Sequence, residues 1–204
     1  MNQIILTGFE PFGPYKFNPV EESTKYFDGK TTNNYNIKGL VLPCTYFGAF
    51  EVLKKAINEL KPKAIISTGL SSSVKGIRFE TTGRNIMNGK YPDANEYNPK
   101  GLHIIKEGTE FLNTNAPNHK LANILHAENI PTEMSANADS FICNSLIYLT
   151  TNYLQTNKSN IKNAFIHIPW TDNYKDKIKL EPHKIMITQE ELYHSIDSII
   201  KNIK

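Results

Sequence analysis

The chain has 204 residues, of which 39% are hydrophobic and 21% are charged, as is typical of a globular protein. Its net charge is +3 and its lysines are dispersed, so it lacks the basic stripe that binds nucleic acid. The two cysteines, Cys44 and Cys143, form no zinc-binding motif, and we expect neither a metal nor a cofactor. No apolar run approaches the about 20 residues of a membrane span, and the N-terminus lacks a signal-peptide pattern. We therefore expect a cytoplasmic protein without nucleic-acid or membrane partners.

Short apolar runs that predict strands alternate with apolar residues at the spacing of helices. In chain order, we predict a strand at 3–8, a helix from Asn18-Pro19, a strand at 37–43, a helix at 46–60, strands at 64–68 and 76–86, a loop at 88–101, helices at 118–128 and 139–155, a strand at 164–169 and a helix after the capping box at 188–191. This alternation predicts one α/β domain over residues 1–204, with a mostly parallel twisted sheet and helices on both faces.

Cys143 lies in an apolar run within the stretch SANADSFICNSLIYL at 135–149. An unpaired cysteine in such a run is usually a small buried hydrophobe. The alternative is a nucleophile. If Asp139 or Ser140 caps the helix, Cys143 falls in its first turn, where partial positive charge stabilises a thiolate. The residues themselves leave both readings open.

His167 lies near the end of the predicted strand at 164–169, and sites in α/β sheets lie outside the carboxyl ends of strands. A single histidine in an apolar strand is nevertheless more often a core residue. A nucleophilic thiol needs a base and a third group that orients the base. The candidate acids are Glu80, Asp139 and Asp172, and sequence spacing alone does not bring any of them to His167.

Four stretches together resemble the pyrrolidone-carboxylate peptidases (pyroglutamyl-peptidase I), a family of cysteine peptidases. They are TGFEPFG at 7–13 followed by Asn18-Pro19, the Glu80 strand that ends in Asn85, SANADSFICN at 135–144 and FIHIP at 165–169. The resemblance covers almost the whole chain. It implies a phosphorylase/hydrolase-like α/β fold and no cofactor.

The resemblance also implies roles for three residues: Cys143 as the nucleophile, His167 as general base and then acid, and Glu80 as the group that orients the imidazole. The implied reaction removes an N-terminal pyroglutamate from a peptide through a thioester. By the same resemblance, the walls of a pocket for the lactam ring are Phe9, Phe12, Phe141 and Ile142, with Thr45 nearby. The family also commonly forms homo-oligomers, often tetramers.

Two residues depart from the family pattern near these positions. The family usually has Arg after the glutamate, where this chain has Thr81, and Arg84 would point to the other face of a continuous strand. The family usually has Gly where this chain has Asp139. A carboxylate there would raise the pKa of Cys143 if it points inward, whereas it would order the turn if it caps the helix.

Two other functions remain as alternatives to the peptidase. The first is a catalytically impaired family member that binds a pyroglutamyl-like ligand or a partner. The second is a phosphorylase-like enzyme that binds phosphate with TGLSSS at 68–73, although this stretch lacks the lysine of a P-loop. Fast alkylation of Cys143 near neutral pH would separate the peptidase from the first alternative.

Overall fold

The structure is a computed structural model, and it describes residues 2–177 and 187–204. In chain order the strands are β1 (Asn2–Phe9), β2 (Thr31–Thr32), β3 (Tyr35–Leu42), β4 (Ala64–Leu70), β5 (Ile77–Glu80), β6 (Thr82–Arg84), β7 (Met87–Asn88), β8 (Lys100–Leu102), β9 (Phe111–Asn113), β10 (Thr132–Ser135) and β11 (Lys162–Ile168). The α-helices are α1 (Pro19–Phe27), α2 (Gly48–Leu60), α3 (Asn118–Ala127), α4 (Ile142–Thr156) and α5 (Gln189–Asn202), with a 3-10 turn at Asp172–Tyr174.

The central sheet has seven strands in the order β10-β5-β11-β4-β1-β3-β2. Strands β3, β1, β4 and β11 are parallel to one another, so their carboxyl ends meet at one edge. Strand β5 is antiparallel to β11 and parallel to β10, and β2 is antiparallel to β3. The predicted mostly parallel sheet is confirmed, with a reversal of direction between β11 and β5.

Two glycines show that helices cover both faces of the sheet. Gly8 lies directly against α1, because a Cβ there would be 2.2 Å from the carbonyl oxygen of Val20. Gly69 lies against α4, where a Cβ would be 3.0 Å from the sulfur of Cys143. Thr7 pairs with Ser67 across β1 and β4, and side chains alternate along strands, so Gly8 and Gly69 point to opposite faces.

Several local predictions are confirmed. The side chain of Asn18 accepts a hydrogen bond from the Val20 amide and caps α1, with Pro19 in the first turn. Thr188 and Glu191 form the predicted capping box of α5. The apolar face of α5 is buried at Leu192, Ile196, Ile199 and Ile200.

The prediction of one strand over 76–86 is wrong. The chain leaves the sheet at Thr81, whose amide and hydroxyl both donate to the carbonyl of Ser135, and it continues as β6 in a separate two-stranded sheet with β9. The segment 88–101, predicted as a loop, is closed at its base because β7 pairs with β8.

Among the described residues, no helix is long and apolar enough to cross a membrane. The assignment of residues 1–204 to a single domain stays a prediction.

The capping box of α5 offers a test of local stability. Thr188→Ala removes the hydroxyl that accepts from the Glu191 amide at 3.1 Å, so we expect a loss of about 1 kcal/mol in the free energy of unfolding. Urea denaturation measures it. Thr156→Ala is the matched control, because this exposed threonine ends α4 and its substitution should change stability by less than about 0.5 kcal/mol. Equal losses in both variants would contradict the prediction.

Candidate active site

Strand register brings Glu80 and His167 to the same face of the sheet. Glu80 is directly opposite Phe165 in the antiparallel pair β5 and β11, and His167 is two residues further along β11. Residues two apart on a strand share a face, so the two side chains are diagonal neighbours. On the other side of β11, His167 pairs with Gly69 of β4.

Glu80 and His167 form a buried hydrogen bond. His167 Nδ1 is 2.8 Å from Glu80 Oε1, and the side chains are 8% and 0% exposed, respectively. Because a carboxylate can only accept, Nδ1 carries the proton and Nε2 of the neutral ring is left as the base. Glu80 Oε2 is buried without a hydrogen-bond partner, so among the described residues the imidazole is the one hydrogen-bond partner of this carboxylate.

Cys143 is the second residue of α4, which begins at Ile142 with Phe141 as its N-cap. The predicted cap at Asp139 or Ser140 is wrong. Ser140 instead donates its hydroxyl to the carbonyl of Asn88, and Asp139 lies two residues before the N-cap with a φ of 61°, not in the extended conformation usual for a capping residue. No side chain caps α4, so its first amides keep their hydrogen-bonding capacity beside the thiol.

Gly69 lies between the thiol and the imidazole. A Cβ on this residue would be 3.0 Å from Cys143 Sγ and 3.0 Å from His167 Cδ2. The sulfur and the ring therefore both lie beside Gly69, where β4 has no side chain. The structure thus brings together all three residues for which catalytic roles were predicted.

Burial raises the pKa of the Cys143 thiol, and the neighbouring Cys44, Glu80 and Asp139 raise it further, while the residue's own backbone amide lowers it. Burial also raises the pKa of Cys44, to about 12, with contributions from Glu10 and Asp93. Both shifts favour the protonated form of the thiols. A thiolate at Cys143 requires a base that takes the proton at the moment of reaction, and the imidazole that shares the surroundings of Gly69 with the sulfur is that of His167.

A cavity of about 60 Å³ opens at the thiol. This is larger than the about 10–15 Å³ that a single water requires. Its lining includes four of the five predicted pocket residues together with the thiol: Phe9, Phe12, Phe141, Ile142 and Cys143. Thr45 does not line it. This residue is buried, and its hydroxyl packs against Gly48 at the start of α2.

The cavity also has three lining residues that sequence reasoning missed, namely Asn18, Cys44 and Leu70. Cys44 also lines a second cavity of about 330 Å³ beyond Phe12 and Phe141. The position of Cys44 directly after a strand, at the carboxyl edge of the sheet, was the signal that could have identified it.

The two departures from the family pattern lie close to this site. Thr81 donates to the carbonyl of Ser135, as described above. Because the strand breaks at this residue, the alternation of side chains along a continuous strand no longer predicts which way Arg84 points. The Arg84 guanidinium donates to Asn137 Oδ1 at 3.3 Å. Asp139 is exposed, and its charge raises the pKa of Cys143, the unfavourable one of the two roles considered for it. Among the described residues, no cluster of histidine, cysteine and acidic side chains could hold a metal ion.

A thiol at a helix start, beside an imidazole held by a buried carboxylate in an α/β sheet, defines the site of a cysteine hydrolase. The sequence model of the pyroglutamyl peptidase family matches residues 2–196, and the chain belongs to this family.

Relatives and solved structures agree with this assignment. The pyrrolidone-carboxylate peptidase of Thermococcus litoralis is 32% identical over 171 residues, which are 84% of this chain and 78% of that protein. The solved pyrrolidone carboxyl peptidase from the same organism superposes with a TM-score of 0.92 at 28% identity, covering 98% of this chain and 92% of that one. Pyroglutamyl peptidase I of Bacillus amyloliquefaciens shares the fold, with a TM-score of 0.92 at 24% identity, covering 100% and 97% of the chains.

The charge of Asp139 leads to a prediction about the thiol. Asp139→Asn removes a charge that raises the pKa of Cys143, so the pH profile of alkylation should shift to lower pH. Because Asp139 is exposed, we expect a gain of only about twofold in rate at neutral pH and low salt, which fades as salt is added. Iodoacetamide labelling of Cys143, followed by mass spectrometry, measures it. Glu96→Gln is the control, because Glu96 is also exposed with a positive φ, and an equal gain there would contradict the prediction.

Proposed function

We propose that this protein is a cysteine omega-peptidase that hydrolyses the bond after an N-terminal pyroglutamate of a peptide. The observation that carries the proposal is the buried Glu80–His167 hydrogen bond facing Cys143 across Gly69. In this arrangement Cys143 is the nucleophile, His167 is the base and then the acid, and Glu80 orients the imidazole. Membership of the pyroglutamyl peptidase family supports the choice of substrate.

The reaction follows from the two nitrogens of His167. Nε2 takes the thiol proton of Cys143 while the sulfur attacks the pyroglutamyl carbonyl carbon, and Glu80 stabilises the resulting imidazolium. The imidazolium then gives its proton to the leaving nitrogen as the C–N bond breaks, which leaves a thioester on Cys143. Finally, Nε2 takes a proton from water as its oxygen attacks the thioester carbonyl, the C–S bond breaks to release pyroglutamate, and the imidazolium returns its proton to the sulfur of Cys143.

The oxyanion formed at each attack needs hydrogen-bond donors. The uncapped start of α4 provides amide groups beside the sulfur, and the backbone N–H of Cys143 is the nearest of them. Positive charge at a helix N-terminus adds to their effect. We propose that the backbone N–H of Cys143 donates a hydrogen bond to the oxyanion.

The cavity at the thiol suits the lactam ring. The ring is small, flat and mostly apolar, and it carries only one N–H and one carbonyl. We propose that Phe9, Phe12, Phe141 and Ile142 contact its faces and edge, and that Thr45 acts indirectly by fixing the start of α2. The chemistry of a free thiol suits a reducing cytoplasm, and by family resemblance we expect a homo-oligomer, with a tetramer as the first state to test.

A substrate comparison with purified protein and dithiothreitol tests the proposal. Pyroglutamyl aminomethylcoumarin should be hydrolysed, whereas the prolyl compound, which lacks the ring carbonyl and carries a charged ring nitrogen, should react at least about 100-fold more slowly. Equal turnover of both compounds would contradict the assigned substrate. A folded protein with no turnover and slow alkylation of Cys143 would favour the alternative, a member of the family that only binds its ligand.

A further inference from the structure

Asn144, the residue after Cys143, is fully buried and makes three hydrogen bonds, all to the backbone of one segment. Its Oδ1 accepts from the Arg84 amide at 2.8 Å, and its Nδ2 donates to the carbonyls of Arg84 and Ile86 at 2.8 and 2.9 Å. The side chain therefore uses both of its donor hydrogens and its acceptor. An amide oriented in this way cannot be replaced by another residue type without loss of at least one bond.

The segment that Asn144 holds continues directly from the strand that carries Glu80. Only residues 81–83 separate Glu80 from Arg84, and the chain is fixed there as well, because Thr81 is bound to Ser135. Gly83 brings β6 directly onto α4, since a Cβ would be 2.6 Å from the Tyr148 amide nitrogen. The helix that carries the thiol is thus linked to the strand that carries the carboxylate through the short segment 81–86, which is held by hydrogen bonds and by the close contact at Gly83.

We propose that Asn144 is a positioning residue for the reaction, which sets the distance of the Cys143 sulfur from the Glu80–His167 pair. Its own side chain forms hydrogen bonds with backbone groups, so it acts through the placement of the first turn of α4. Catalysis by a thiol and an imidazole depends steeply on this distance, and a displacement of about 1 Å can cost about 100-fold in rate. The inference rests on the proposed function for its kinetic test with a pyroglutamyl amide, whereas its test by alkylation of Cys143 does not depend on that function.

The chain contains a matched control in Asn85. This side chain also makes three bonds to backbone groups, accepting from the Ile105 amide and donating to the carbonyls of Ile105 and Gly108. It is nearly as buried as Asn144, at 5% against 0% exposed. Asn85 belongs to the same segment that Asn144 holds, but its own side chain binds the loop at 105–108 and not the helix with the thiol. A merely structural role for Asn144 predicts the same behaviour for both variants.

The experiment compares Asn144→Ala with Asn85→Ala by melting temperature, by kcat and KM on a pyroglutamyl amide, and by the pH dependence of Cys143 alkylation. We expect similar falls in melting temperature. Only Asn144→Ala should lose about 100-fold in kcat, with KM within about threefold and the alkylation profile shifted to higher pH. If wild-type protein turns over no pyroglutamyl amide, the proposed function fails, and alkylation alone decides about Asn144.

Two results would overturn the inference. One is a kcat for Asn144→Ala within about threefold of wild type, and the other is an equal loss of kcat and of alkylation rate in both variants. If the alanine variants do not fold, Asn144→Ser and Asn85→Ser replace them. Each keeps a small uncharged polar side chain and loses bonds of the amide, and the same difference between the positions is expected.

Discussion

Cys143→Ala is expected to lower kcat on a pyroglutamyl amide by about 10⁴- to 10⁶-fold, the usual range for loss of a nucleophile. No other thiol can substitute. Cys44 lines the same cavity, but its sulfur donates to the carbonyl of Glu10 at 3.4 Å, whereas the Cys143 sulfur lies beside Gly69 together with His167. Steady-state kinetics with dithiothreitol measure the loss. A thioester trapped by hydroxylamine in the wild type, and absent from the variant, would identify the intermediate.

Ser145→Ala is the control for this substitution, because it alters the same helix two residues further on. The Ser145 hydroxyl is buried without a hydrogen-bond partner among the described residues, so its removal breaks no hydrogen bond described for α4. We expect kcat within about threefold of the wild type and no loss of stability. Turnover by Cys143→Ala within tenfold of wild type would refute the assignment of the nucleophile.

Glu80→Gln is expected to lower kcat by about 10³- to 10⁴-fold while leaving the fold intact. A neutral amide can accept from Nδ1, but it cannot stabilise the imidazolium that forms when Cys143 loses its proton, and it permits the wrong tautomer of His167. The side chain is 0% exposed, and its Oε2 has no partner among the described residues, so loss of the charge also removes a desolvation cost. We therefore expect the melting temperature to stay the same or to rise.

Glu133→Gln provides the matched control for Glu80. Glu133 lies on β10, next to β5, but it is 39% exposed and pairs with Arg78 at 3.2 Å on the surface. We expect it to leave kcat unchanged and to cost less than about 1 kcal/mol of stability. A drop in melting temperature that parallels the loss of kcat in Glu80→Gln would show a structural role and not an orienting one.

Local signals in the sequence were enough to place much of this fold. The caps at Asn18 and Thr188 depend on residues within one turn, and the apolar runs of β4 and β11 depend only on burial. The start of α4 was not predictable in the same way. Phe141 caps it without a side-chain bond, while Ser140 is held by Asn88 from a distant segment. Tertiary contacts decide such boundaries, because local preferences are weaker than the packing they oppose.

The site was predicted largely through the family resemblance, because the residues themselves left the three roles open. Spacing could not show that β5 reverses beside β11, which is the contact that joins Glu80 to His167. By its residue type alone, Glu80 in a short strand would be exposed to solvent. For Cys44 the one signal was its position after a strand, because lining a cavity also depends on neighbours from α4 and from the segment that follows β1.

The reversed direction of β5 has a consequence for the conditions in which the enzyme works. Strand β11 ends at the open edge of the sheet, whereas β5 starts near that edge and runs inward, so its last residue, Glu80, ends up behind the imidazole. A parallel β5 would have brought its last residue to the edge, where ions and water compete for a carboxylate. With no counterion able to approach Glu80, the step that depends on its charge should be nearly independent of ionic strength, in brine as in dilute buffer.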